Sequence, residues 1–163
     1  MIKRIIEIYT DGSSRGNPGP GGWGVVLKSG THYKELSGGF LYTTNNRMEL
    51  YAVIMGLEAI RTRNAEITVY SDSSYVCNPI NKGWLQIWMK KRFLNKKNED
   101  LWMRFFDIYS KHKVTFVWIK GHAGHIENER CDQMAVDAAL QQSLPEDYGY
   151  NGAKSDLLFN KSE

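Results

Sequence analysis

Three runs of β-type residues crowd the first forty positions, and the links between them are too short for anything but antiparallel pairing. The first, IKRIIEIYT (2–10), is rich in β-branched residues, and GWGVVLK (22–28) and HYKELSGGF (32–40) follow it. Fewer than a dozen residues separate the first two, and the turn SGT joins the second to the third. Parallel neighbours need a crossover of a dozen residues or more, so these three form a meander. The periodicity then changes. NNRMELYAVIMGLEAIR (45–61) reads as a helix whose apolar residues go most of the way round, which requires cover on more than one side. Asn46 and Glu49 offer it an Asn version of a capping box. EITVYS (66–71) reads as a fourth strand, followed by a short helix stopped near Pro79. An amphipathic helix over about 99–111, a fifth strand VTFVWI (114–119) and a last helix over about 127–142 complete the chain. The order βββαβααβα predicts an α/β fold, a five-stranded sheet of mixed direction flanked by helices.

The link between the first two strands contains GPGGWG (19–24), which fits the G-x-G-x-x-G template of dinucleotide-binding loops. That template must follow a strand and open a helix, so that a pyrophosphate meets helical N–H groups. Here Gly24 leads into Val25-Val26-Leu27, another strand, and no Gly-Lys-Ser/Thr follows. A nucleotide cofactor is therefore not expected. The glycines and prolines instead turn one strand into the next with backbone exposed, half loop and half strand, in the service of Asp11.

The chain of 163 residues is the length of one domain and long enough to bury a core without disulfides. Cys77 and Cys131 sit in no metal or redox spacing and read as reduced thiols. No apolar stretch approaches the length of a membrane crossing, so a soluble cytoplasmic protein is expected, a monomer by default. The net charge of +3 hides an asymmetry. Residues 73–98 carry Lys82, Lys90, Lys91, Arg92, Lys96 and Lys97 and no acid, a local +6 with Trp84, Trp88 and Phe93 interleaved. Such a block suits a polyanion with a sugar or stackable surface, with a solvated helix face as the plainer alternative.

Asp11 follows the first strand and Asp72 the fourth. A helical crossover would make those strands parallel neighbours and bring both carboxylates to one sheet edge, where open α/β sheets place their sites. Glu49 near the start of the intervening helix faces that edge, and Asp132, ten residues after His122, closes a ring of four. Four such carboxylates repel one another unless a cation sits among them. Oxygen donors without cysteine favour Mg²⁺ or Mn²⁺ over zinc, and a carboxylate cluster beside a basic, aromatic block suggests two-metal phosphodiester hydrolysis.

The four blocks YTDGSSRGNPGPGGWG, TTNNRMELYAVIMGLEAI, YSDSSYV and WIKGHAGHIENERCDQMA, in this order and spacing, resemble ribonuclease H of the bacterial type 1 family over about residues 1–150. The resemblance implies an RNase H-like fold with strands 4 and 5 parallel to strand 1. It also implies endonucleolytic cleavage of the RNA strand of RNA–DNA hybrids with two Mg²⁺ ions (Mn²⁺ a substitute), leaving 5′-phosphate and 3′-hydroxyl ends. On it, Asp11, Glu49, Asp72 and Asp132 fall on the metal-binding carboxylates. His122 falls on a mobile-loop histidine that shuttles protons or assists product release, and His125 is structural. The backbone of Gly12, Ser13 and Ser14, with Asn17, Asn45 and Ser74, falls on contacts to the RNA strand, whose 2′-hydroxyl tells it from DNA. Trp84 and Trp88, four apart on a helix, match a channel for the DNA deoxyriboses. Lys90, Lys91 and Arg92 match a basic protrusion along phosphates, and Thr44 with Asn98 matches a DNA-phosphate pocket.

The chain departs from that pattern in three places. Only thirteen residues separate Trp88 from Trp102, which shortens the protrusion at about 82–98; Tyr42 stands where the phosphate pocket often has arginine; and Ser74 replaces a longer amide. Weaker or differently made substrate contacts are expected, with the chemistry unaffected. No hybrid-binding domain is expected ahead of the first strand, and 151–163 reads as a C-terminal tail. A catalytically silent nucleic-acid-binding module is the main competing reading, and a transposase or resolvase core another. The four intact carboxylates oppose the first, and the GHAGHIENERCD block with the tryptophan–lysine protrusion opposes the second.

Overall fold

The computed structural model describes residues 3–121 and 123–150. Its sheet has the strand order β3-β2-β1-β4-β5, built from β1 (Arg4–Ser14), β2 (Gly19–Ser29), β3 (His32–Thr43), β4 (Ala65–Ser71) and β5 (Lys113–Trp118). The first three pair antiparallel, whereas β4 runs parallel to β1 and β5 parallel to β4, as the connection lengths require. The helices are α1 (Asn45–Glu58), α2 (Ser74–Asn81), α3 (Trp84–Lys90), α4 (Glu99–Tyr109) and α5 (Ile126–Ala139).

The main core lies between the sheet and α1 to α4, with Ile8, Val25, Leu50, Ile54, Val69, Trp102 and Phe105 at its centre. A smaller cluster of Val26, Cys131 and Met134, with Tyr9 against it, seats α5 on the opposite face. This two-sided arrangement follows from strand alternation, since Val25 and Val26 point to opposite faces. Helix α1 is covered by β1, β2, β3 and α4, which its all-round apolar pattern demanded.

Several local expectations are corrected. The first strand does not stop at residue 10: its parallel pairing with β4 ends at Tyr9–Tyr70, but its antiparallel pairing with β2 continues to Ser14–Gly21. Asp11 therefore lies inside β1, just beyond the end of its partnership with β4. GPGGWG is strand throughout, because β2 starts at Gly19. What its glycines supply is close approach. A Cβ on Gly22 would collide with the Ala135 carbonyl oxygen, and one on Gly24 with that of Cys131, so α5 sits nearer to β2 than a side chain would allow. The cap of α1 is Thr44, whose hydroxyl accepts from the Arg47 amide at 3.2 Å, and no Asn46–Glu49 box forms. The buried Pro79 stays inside α2, which continues to Asn81. The basic block contains a further helix, α3, after Gly83 at φ 78°.

Beyond α3 the chain turns tightly through Arg92 (φ 52°), Phe93 (φ 57°) and Asn95 (φ 62°), a left-handed backbone that L side chains disfavour. Burial of Phe93 against Phe106 and its amide bond to the Trp88 carbonyl (2.8 Å) hold it there.

The residues after α5 are fastened by a buried guanidinium. Arg47 donates from Nε and Nη2 to Asp147 (2.7 and 2.9 Å) and from Nη1 and Nη2 to Asp100 (both 2.8 Å). Thr43 Oγ1 donates to the same Asp147 at 2.7 Å. Removing one partner of such a buried pair strands the remaining charge, at a cost of about 3–5 kcal/mol. Arg47→Met is expected to lower the stability by that order in urea denaturation; a loss below about 1 kcal/mol would show that the pair does not hold the segment down.

Candidate active site

The ends of β1 and β4, the start of α1 and the middle of α5 meet at one edge of the sheet. Ligand oxygens of Asp11, Glu49 and Asp72 all lie within 4.8 Å of one another. Two glycines make this convergence possible. A Cβ on Gly12 would overlap the backbone of Met48 and Glu49, so α1 presses directly on β1; one on Gly121, past β5, would meet Asp72 Oδ2 at 2.8 Å. The Asp72 carbonyl accepts from Trp118 Nε1 at 2.9 Å, which fixes the turn leaving β4. Asp132 is not in the three-carboxylate group, but lines the same cleft of about 430 Å³ with Asp11, Glu49 and Asp72.

The electrostatics are those of crowded like charges. Burial, followed by the charge of Asp72, pushes the Asp11 carboxyl up to about 7, with Asp132 adding to the shift. Burial, then the charges of Asp11 and Asp72, holds Glu49 well above the usual carboxylate range. Glu49 Oε2 is buried and finds no hydrogen-bond partner among the described residues. An acceptor oxygen without a donor, aimed among other carboxylates, fits a cation. An all-oxygen donor set with no thiolate or imidazole fits a hard divalent ion.

Gly12, Asn45 and Ser74 line this cleft with the carboxylates. Ser13 and Ser14 end β1, and the Ser14 amide and hydroxyl both donate to Asn45 Oδ1 (2.7 and 3.1 Å). Asn17 Oδ1 accepts from the Asn45 amide at 3.1 Å, which ties the turn to the start of α1. Thr44 and Asn98 line a second cavity of about 790 Å³ with Asn17, Lys96 and Lys97. Asn98 is oriented by Arg47 Nη1, which donates to its Oδ1 at 3.3 Å, and by its own amide group, which donates to Tyr75 Oη at 2.9 Å.

Trp84 and Trp88 share one side of α3 with ring centroids 6.3 Å apart. Trp88 packs edge-on against Trp102, and Lys96 Nζ stands 4.5 Å above its ring. Lys90, Lys91 and Arg92 are exposed at the end of α3 and do not line the carboxylate cleft. His122 lies outside the described residues, as do 151–163. Lys120, Gly121, Trp118 and Asn128 also belong to this edge, and the sequence reading passed over them. The Gly in WIKGH was their one visible signal.

A family model for RNase H matches residues 3–140. The chain is 54% identical over 153 residues to a Ribonuclease H of Syntrophus aciditrophicus (strain SB), an alignment covering 91% of this chain and 87% of that protein. Among solved structures it resembles LC9-RNase H1, described as a type 1 RNase H with the type 2 active-site motif. There the TM-score is 0.78 at 30% identity, over 88% of this chain and 75% of that one. It also resembles LC11-RNase H1 in complex with an RNA/DNA hybrid, at a TM-score of 0.63 and 28% identity over 82% of this chain and 96% of that one.

A carboxyl raised from 3.8 to about 7 binds its proton more tightly folded than unfolded. Its contribution is therefore fully present below the unfolded value and lost as pH climbs towards 7. Glu49 acts in the same direction. In EDTA, stability is expected to fall across this window, and Asp11→Asn to raise the Tm at pH 8, by about 2–4 °C per kcal/mol of repulsion removed. Thermal unfolding checks both, and a lower Tm for Asp11→Asn would remove the repulsion from the account.

Proposed function

The chain belongs to the RNase H family, and on that premise we propose that it is a two-metal-ion endonuclease leaving 5′-phosphate and 3′-hydroxyl ends on the RNA strand of RNA–DNA hybrids. The family's members cleave the RNA strand of such hybrids with the help of a metal ion, and this chain is an enzyme of that kind. The observation that carries the finer reading is the group of three carboxylates within 4.8 Å, one with a buried, unpartnered oxygen, in a cleft that Gly12 also lines.

Asp11, Glu49 and Asp72, with Asp132 beside them, would hold the ions, Mg²⁺ with Mn²⁺ as a substitute. When bound, these supply an activated water and stabilise charge on the leaving 3′ oxygen. The rest is done by the chain. Gly12, Ser13 and Ser14 present backbone to the RNA sugars, and Asn17, Asn45 and Ser74 complete the contacts that select a 2′-hydroxyl. Thr44 and Asn98 take a phosphate of the DNA strand, helped by Lys96 and Lys97, which line the same cavity. Trp84 and Trp88 receive deoxyriboses, and Lys90, Lys91 and Arg92 run along phosphates. His122 moves protons or assists product release.

One catalytic domain over 1–150, acting as a cytoplasmic monomer, completes the reading. No helix among the described residues is long and apolar enough to cross a membrane.

A cleavage assay on RNA–DNA, RNA–RNA, DNA–DNA and single-stranded RNA, with Mg²⁺ and with EDTA, tests the activity: only the hybrid with Mg²⁺ is expected to be cut. Asp72→Asn is expected to abolish cleavage while hybrid binding survives, and retained cleavage would sink the assignment of that carboxylate. Alanine at Lys90, Lys91 and Arg92 together is expected to raise KM and to flatten the salt dependence of hybrid binding by a slope of about 2–3. A slope equal to the parent's would take these residues off the phosphates.

A further inference from the structure

Asn128 is the third residue of α5, and it is buried at 6% exposure while Glu129 and Arg130 beside it are exposed. Its Oδ1 is enclosed, and no donor among the described residues reaches it. The same side chain lines, with Asp11, Asp72, Asp132, Lys120 and His125, a small cavity of about 10 Å³. That is roughly the room of one water molecule and far less than a nucleotide needs. A buried amide oxygen without a donor is costly, and native structures keep few of them.

The chemistry of the walls selects what relieves that cost. The Asn128 carbonyl and an ionised carboxylate are both acceptors and cannot bond each other directly, and the two donors of the wall, Lys120 and His125, do not reach the amide oxygen. A water molecule carries two protons and can give one to the amide oxygen and one to a carboxylate. Hard divalent ions such as Mg²⁺ keep several of their waters when bound to carboxylates, and those waters need acceptors around them.

We propose that Asn128 is a positioning residue whose carboxamide oxygen holds a water between α5 and the carboxylates, and through it orders the hydration of the divalent ion bound there. This rests on the metal-dependent reading of the site. Partners of this outer kind typically change metal affinity 10- to 100-fold. A crystal structure of the metal-free full chain is expected to show a water within hydrogen-bond distance of Asn128 Oδ1. Mn²⁺ titration followed by electron paramagnetic resonance is expected to show roughly tenfold weaker binding by Asn128→Leu. The Tm of that variant in EDTA should be unchanged or higher, because a buried acceptor has been removed. An amide with a structural role alone would lower the Tm and leave Mn²⁺ affinity untouched. Asn128→Ser makes the same comparison if the leucine variant does not fold. Parental Mn²⁺ affinity in the variants, or a dry cavity, overturns the inference by itself. A parent that binds no Mn²⁺ overturns the metal reading and this inference together.

Discussion

Three carboxylates gathered within 4.8 Å at one end of a sheet set the terms for everything packed around them. In the absence of a cation this grouping is repulsive, and it persists only because the surrounding structure leaves the side chains nowhere else to go. The fold does this with contact rather than with compensating charge. Gly12 brings the backbone of α1 onto β1, Gly22 and Gly24 bring α5 onto β2, and Gly121 brings the end of β5 onto Asp72. Each glycine stands where two elements touch main chain to main chain or main chain to carboxylate. The residues that match a phosphate-loop template in the sequence thus form a strand in direct main-chain contact with α5.

Helix α1 shows two opposite treatments of buried charge only two residues apart. Arg47 is saturated, with two carboxylates and the Asn98 amide oxygen within hydrogen-bond reach. Glu49 is held among like charges with an oxygen left over. The first arrangement fastens the segment carrying Asp147 and the start of α4 to the core; the second keeps an acceptor in reserve. One helix therefore serves as both anchor and site wall, and the Arg47 grip extends to Asn98.

The order and direction of the strands and the meeting of Asp11 with Asp72 were legible in the sequence, because both depend on periodicity and connection length, which are local quantities; the helix α3 within the basic block was not. What was not legible depends on distant partners. The run TTNN contains four residues able to cap a helix, and Thr44 is the one whose hydroxyl meets the Arg47 amide. The burial of Arg47 carries no local signal, since its partners lie 53 and 100 positions away. The end of β1 was misjudged because glycine and serine weaken the strand signal, yet β2 continues to pair with them as far as Ser14. Asn128 was hidden by a polar neighbourhood, IENER, in which only the helix's contact with the carboxylates singles out one residue as buried.

The left-handed turn beyond α3 bears on how the short basic arm proposed to run along phosphates would grip a duplex. A long basic loop would lose its freedom on meeting a partner, and that loss is subtracted from affinity. Here Arg92, Phe93 and Asn95 are already confined by the burial of Phe93, and Lys96 is already parked over Trp88. The ordering cost has been met during folding, where cooperativity with the core absorbs it. A smaller contact surface can then retain its partner as long as a larger and looser one, because little disorder is regained when the two separate.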